Sequence, residues 1–190
     1  MQNILLVGGG GHCHSVIDVI EQEGKFAIAG IIDKKELIGT DVLGYKVIGC
    51  DDDLIGLRKK FSHALVTLGH IKTNKLRKEL FEYLIKLGFT LPSVVSPLSY
   101  VAKGASIGNG SIVMHQSLVN SNAQIGHNCI INTKALVEHD AKIEDNTHIS
   151  TGVIINGGTI VKENTFVGSG AITKEYTEVS GFIKAGSVVK

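Results

Sequence analysis

Tryptophan is absent from the sequence, proline occurs twice, and six phenylalanines and four tyrosines are the whole aromatic complement of 190 residues. With glycine abundant, so few aromatics suit a repetitive β structure with many corners. No apolar run approaches the roughly 20 residues a bilayer span requires. Met1 to Val7 leads straight into a glycine turn, without the charged start or small-residue cleavage site of a signal peptide. The charges nearly cancel, at a formal net +1, and no basic block or stripe appears, so nucleic acid and acidic membrane surfaces are poor partners. The three cysteines, Cys13, Cys50 and Cys129, are odd in number and widely spaced, with no C-x-x-C pair. That usage predicts a reduced, cytoplasmic protein.

What the chain does contain is glycine, 23 residues of it, and a period of six. Val95, Val101, Ile107, Val113, Val119, Ile125, Ile131, Val137, Ile143, Ile149, Ile155, Val161 and Val167 follow one another at six-residue intervals without a miss. Four residues after each, from Val101 on, stands a small or β-branched residue, Ala105 to Ala171, with Cys129 among them. Six matches neither the helical period of 3.6 nor the strand period of 2. It matches a hexapeptide β-helix, in which each hexad is a short strand plus a corner and three hexads close one triangular coil. A single coil cannot bury its apolar face, so coils stack, each adding backbone bonds and core together. Thr173 to Gly181 offers no Val or Ile read as in register. Ile183, sixteen residues after Val167, then implies a two-residue shortening at a corner before a capping strand.

Residues 1–92 read as a separate small Rossmann-like α/β domain, and 93–190 as the β-helix. Asn3 to Val7 is a buried strand, Gly8 to Gly11 a tight turn, and Ser15 to Gln22 an amphipathic helix. Strand, glycine turn and helix open a dinucleotide-type unit, in which backbone N–H groups at the helix start can meet a phosphate. The G-x-G-x-x-G spacing is only partly met, because position 13 is Cys, and a turn without a ligand carries equal weight. Phe26 to Ile32 is a second strand ending in Asp33, a position that commonly meets a ribose or base in this architecture. A short strand over Val42 to Ile48, a helix from Asp51 to about Lys60, a strand over Ala64 to Leu68 and a helix from about Thr73 to Leu87 complete the domain. The acidic triplet Asp51 to Asp53 reads as a helix cap rather than a metal site.

In the repeat, His115, His127 and His139 stand third in their hexads, pointing outward on three different faces, and cannot share a metal within one chain. The His-x4-His pair of hexapeptide carbonic anhydrases does not occur. His148 ends the hexad after His139, near a corner. Eighteen-residue spacing makes vertical neighbours of Asn120, Glu138 and Asn156, and of Ser121, His139 and Gly157. An exposed solvated histidine is the plain reading of His139. Glu138-His139-Asp140 favours a catalytic one, since a carboxylate beside an imidazole fixes its tautomer and raises its basicity.

The glycine turn with Gly-His, one α/β unit, and an unbroken hexad array containing Asn132-Thr133 and Val137-Glu138-His139-Asp140 together resemble the NeuD/PglD-type bacterial sugar acyltransferases over nearly the whole chain. The resemblance implies a left-handed β-helix, a homotrimer with active sites between neighbouring prisms, and acetyl-coenzyme A as donor, without a metal. It implies His139 as catalytic base, Asp140 as its acidic support and Asn132 on the acceptor side. It implies His148 as the donor-side histidine bonding the acetyl carbonyl and Gly157 as a backbone N–H contact to the thioester. It implies Gly10, Gly11, His12 and Asp33 as the acceptor nucleotide pocket. Relatives often carry a second acidic residue where Lys34 follows Asp33, and many finish with a Gly-x-Pro-Ala-Lys segment where this sequence reads Ser187-Val188-Val189-Lys190. The expected reaction is N-acetylation of a UDP-4-amino-4,6-dideoxy sugar in surface glycan or glycoprotein synthesis. The alternatives are O-acetylation of a sialic-type nonulosonic acid and a non-catalytic sugar-nucleotide scaffold.

Overall fold

A computed structural model describes residues 1–190 and divides them into two compact units. One comprises residues 1–69 and 75–92. The other comprises 93–190 together with the short segment 70–74.

The α/β unit contains β1 (Gln2–Val7), α1 (Gly11–Glu23), β2 (Phe26–Ile32), β3 (Asp41–Val42), β4 (Tyr45–Gly49), α2 (Leu54–Leu57), β5 (His63–Val66) and α3 (Lys75–Lys86). Its sheet runs β3-β4-β2-β1-β5. β1 pairs in parallel with β2 on one side and β5 on the other, which is why Ile4 to Val7 is an unbroken apolar run rather than an alternating one. α1 buries Val16, Ile17, Val19 and Ile20 and stops at Gly24, whose left-handed backbone (φ 66°) lets its N–H return to the Ile20 carbonyl. The single strand expected over 42–48 is instead a hairpin. Leu43 and Gly44 both take positive φ between β3 and β4, and β4 then joins β2 in parallel. The helix expected from Asp51 to about Lys60 is a 3-10 turn running into α2, capped by the Asp53 carboxylate on the Cys50 N–H (2.9 Å). The sheet order reverses at β1, so a crevice opens at the carboxyl ends of the strands.

The second unit is a left-handed parallel β-helix of two-residue strands on three faces. The first face stacks Val94–Val95, Ile112–Val113, Ile130–Ile131, His148–Ile149, Phe166–Val167 and Phe182–Ile183. The second stacks Tyr100–Val101, Leu118–Val119, Leu136–Val137, Ile154–Ile155, Ile172–Thr173 and Val188–Val189. The third stacks Ser106–Ile107, Gln124–Ile125, Lys142–Ile143, Ile160–Val161 and Glu178–Val179. Partners in neighbouring coils lie eighteen residues apart, as in Val101–Val119–Val137. The inward valines and isoleucines form one core with Ala123, Cys129, Ala135 and Ala141. Hydroxyls at the small positions are satisfied by carbonyls, as in Ser111 to Gly126 (2.7 Å) and Thr159 to Lys174 (3.0 Å).

A second six-residue series sits at the corners. Every sixth residue from Gly104 to Tyr176 has positive φ, and ten of the thirteen positions hold Gly, Asn or Asp. The period does not lapse after Ala171: Thr173 and Val179 occupy the inward file, 1% and 2% exposed. The shortening lies between Val179 and Ile183, so that Phe182 and Ile183 pair with Phe166 and Val167, sixteen residues away. No helix of the structure is long and apolar enough to cross a membrane.

Candidate active site

His139 follows the Leu136–Val137 strand and stands on the edge between the second and third faces. Its Nδ1 meets the Asp140 carboxylate at 2.9 Å, and both side chains are about half exposed. Asp140 supplies the left-handed corner (φ 60°), where a short acidic side chain is tolerated and is placed beside the preceding ring. One coil away, Asn122 donates to the other Asp140 oxygen at 3.2 Å. The hydrogen bonds from His139 and then Asn122 hold Asp140 below the usual carboxylate range. A carboxylate so held accepts Nδ1–H from the imidazole, which leaves the Nε2 lone pair free to take a proton.

On the other side of the ring lies Gly157. A methyl there would sit 2.8 Å from both Cε1 and Nε2 of His139, so the space that glycine leaves is filled by the catalytic candidate itself. The backbone N–H of Gly157 is also unlike its equivalents. Asn132 caps the Thr133 N–H (2.8 Å), Asn120 that of Ser121 (2.8 Å) and Glu138 that of His139 (3.2 Å). Asn156 turns away, donating its amide to the Thr173 carbonyl (2.7 Å), and the Gly157 N–H has no acceptor. Tyr176 lies against the neighbouring Gly158, where even a methyl would collide with the phenol ring.

His148 is not near a corner. It is the outward residue of the His148–Ile149 strand on the first face and is 6% exposed. Its Nδ1 donates to the His70 carbonyl (2.7 Å) and its Nε2 lies 3.2 Å from the Asn132 amide nitrogen. Asn132 sits on the edge between the first and second faces. Within one chain, therefore, Asn132 and His148 come together, and His139, Asp140 and Gly157 come together, but the two groups border opposite sides of the second face. His115 lies on the same edge as Asn132 and bonds to Ser96 Oγ (2.6 Å), and His127 lies on the edge between the third and first faces, where it accepts from the Asn109 N–H (2.9 Å).

In the α/β unit a cavity of about 560 Å³ opens among Gly8, Asp33, Lys34, Cys50, Asp51 and Leu68. Asp33 accepts from the N–H groups of Gly9 (2.6 Å) and Lys34 (2.7 Å), so its carboxylate fastens the glycine turn to the end of β2. Gly10 caps α1 and Gly11 begins it, and a side chain added at either would meet open space. His12 packs beside Gly69 at the end of β5. Of the four expected acceptor residues, Asp33 alone lines the cavity.

The Asn122 contact was accessible from the eighteen-residue spacing to Asp140. The contacts of segment 70–74 follow no repeat and carry no such signal.

Residues 3–84 match the family described as the PglD N-terminal domain. Among solved structures, the whole chain superposes on a variant of perosamine N-acetyltransferase from Caulobacter crescentus in complex with CoA and GDP-perosamine. The identity is 30%, the TM-score 0.93, and 100% of this chain and 89% of that one are covered. The acetyltransferase domain of PglB from Neisseria gonorrhoeae is 28% identical, with TM-score 0.92 and coverage of 100% and 92%. It has also been solved with acetyl-coenzyme A. WeeI from Acinetobacter baumannii, 22% identical with TM-score 0.79 and coverage of 100% and 97%, shares the fold. No curated protein sequence matches significantly.

Proposed function

The chain belongs to the NeuD/PglD-type sugar acetyltransferases, and on that premise we propose that His139 is the general base of an acetyl transfer from acetyl-coenzyme A to a nucleotide-linked amino sugar. The protein is an acetyl-coenzyme A-dependent sugar acetyltransferase. The observation that carries the role of His139 is its placement, bonded through Nδ1 to Asp140 and lying on Gly157, whose N–H has no acceptor.

The chemistry is a direct transfer. The sugar amine attacks the thioester carbonyl, forming a C–N bond, while Nε2 of His139 takes a proton from the nitrogen. General-base assistance of this kind contributes about 10²–10⁴-fold. The negative charge gathers on the carbonyl oxygen, where the Gly157 N–H supplies a donor that no protein group competes for. Collapse breaks the C–S bond, and the proton held by His139 passes to the leaving sulfur as coenzyme A departs. Asp140 keeps the ring in the tautomer this sequence needs and stabilises the imidazolium formed midway.

A trimer completes the site. The outward file of the second face, Tyr100, Leu118, Leu136, Ile154, Ile172 and Val188, is apolar throughout, with Tyr100, Ile172 and Val188 exposed. The third face carries Ser106, Gln124, Lys142, Ile160 and Glu178 in the same positions, four of the five polar. An apolar file of this length calls for cover. Three copies ringed with their second faces inward bury it and close by a heterologous contact. The same ring sets the Asn132–His148 edge of one copy beside the His139 edge of the next. The acceptor's nucleotide belongs in the crevice of the α/β unit, near Asp33 and the start of α1 at Gly10, Gly11 and His12.

A UDP-4-amino-4,6-dideoxy sugar is the acceptor we favour. The Caulobacter relative holds GDP-perosamine, so both nucleotides belong in the test. Thiol release from acetyl-coenzyme A is followed with UDP- and GDP-linked amino sugars and a free nonulosonic acid, and products are weighed by mass spectrometry. The reading expects turnover with a nucleotide-linked amine and an added N-acetyl group. Turnover only with the nonulosonic acid makes the enzyme an O-acetyltransferase, and tight sugar-nucleotide binding with no thiol released makes it a scaffold.

A further inference from the structure

Segment 70–74 is separated from the β-helix in sequence, yet it is bonded to it at both ends. Asn74 donates its side-chain amide to the Asn146 carbonyl (3.1 Å) and to Asn164 Oδ1 (2.9 Å). At the other end the His70 carbonyl receives Nδ1 of His148 at 2.7 Å, a buried contact. The His70 ring lies edge-on to His148 at 5.2 Å, His148 lies edge-on to Phe166 at 5.2 Å, and Phe166 stacks on Phe182 at 5.3 Å. His70, His148 and Phe166 are all less than 9% exposed.

The chemistry of these partners fixes protons. A carbonyl oxygen only accepts, so Nδ1 of His148 carries a hydrogen. Nε2 of the neutral ring is then an acceptor, and the group facing it is the Asn132 amide nitrogen, a donor. Asn132 Oδ1 in turn accepts from the Thr133 N–H (2.8 Å), so the amide cannot flip without losing both bonds. One chain of hydrogen bonds thus runs from the His70 carbonyl through His148 to Asn132 on the acetyl-transfer edge.

We propose that segment 70–74 is a positioning strap, which locks His148 in its Nδ1–H tautomer and through it holds the Asn132 amide in a single orientation at the edge of the acetyl-transfer site. His70 and Asn74 are positioning residues in this scheme. His148 acts on Asn132 with its acceptor nitrogen and offers no Nε2 proton to an acetyl carbonyl. The functional half rests on the acetyl-transfer reading above, whereas the tautomer does not.

The test has two readouts on the full-length protein. Long-range ¹H–¹⁵N correlation of the histidine rings reports the tautomer of His148, assigned by its loss in His148→Asn. The native protein shows Nδ1–H, and Asn74→Ala shifts the ring toward Nε2–H, the form imidazole side chains favour in water. In kinetics, Asn74→Ala raises KM for the amino sugar by about twofold to tenfold, the span of one neutral hydrogen bond, and leaves KM for acetyl-coenzyme A within about twofold of native. His148→Asn keeps a donor for the His70 carbonyl but none of the acceptor for Asn132, and gives the same acceptor-side defect even where Asn74→Ala does not fold. Native His148 found as Nε2–H overturns the lock. A shifted tautomer in Asn74→Ala with unchanged KM, or an unaffected acceptor KM in His148→Asn, overturns the positioning role. An enzyme inactive on every amino sugar but with native His148 as Nδ1–H refutes the acetyl-transfer reading and leaves the lock standing.

Discussion

The imidazole of His139 rests on the backbone of Gly157, where a single added methyl would come within 2.8 Å of two ring atoms. The clash is with the mobile end of a side chain, not with backbone, so Gly157→Ala displaces the ring without breaking the coil. The expected outcome is a melting temperature within a few degrees of native and a kcat reduced about 10- to 1,000-fold, since a misplacement of about 1 Å at a reacting group costs on the order of 10²-fold. Thermal unfolding and steady-state turnover measured together check it.

Asp140 is kept ionised by its hydrogen bonds to His139 and Asn122. Its folded pKa is below the unfolded one, so whatever it contributes to stability is fully present above the ordinary carboxylate range and is lost as pH falls through the depressed value. Asn122→Ala removes the second of these bonds and raises the Asp140 pKa toward its ordinary value. A carboxyl ¹³C titration reads that rise, and no change would remove Asn122 from the account.

The core of the β-helix is one continuous file, so a hole anywhere in it is shared by the coils above and below. Ile149 is fully buried in that file. Ile149→Ala is expected to cost about 2–5 kcal/mol in chemical denaturation, because stacked two-residue strands relax little into a void.

Burial pushes the Cys13 thiol up to about 11, and Cys129 is buried in the β-helix core. At neutral pH both should resist aromatic disulfide reagents, with Cys50, the half-buried cysteine, reacting first. Peptide mapping after brief labelling shows which thiol is modified. Rapid labelling of Cys13 would contradict its burial in α1.

The β-helix was legible because a six-residue period has one physical solution, and the inward file from Val113 to Val167 is buried where the spacing put it. Thr173 interrupts the run of Val and Ile in sequence, yet a threonine methyl fills the same inward slot and Val179 continues the file one coil position on. The hairpin at Leu43 and Gly44 was hidden by a non-glycine residue at positive φ, a conformation no local pattern announces. At the site, the His139–Asp140 pair is local and was visible in sequence. The eighteen-residue spacing also sets Gly157 beside His139, but that the ring itself fills the space the glycine leaves depends on the side-chain rotamer, which the spacing does not fix. His148 belongs to a strand and not to a corner, and its partner His70 has no signal in the sequence, since loop-to-prism contacts obey no repeat.

Subunit complementation tests the shared site most directly. His139→Ala and Asn132→Ala are each expected to be nearly inactive, and the two are then unfolded and refolded together in equal amounts. If His139 of one copy works beside Asn132 of the next, random rings that close by a heterologous contact contain intact sites at about one interface in four, and roughly a quarter of native activity returns. A refolded mixture no more active than its two parents would contradict the account.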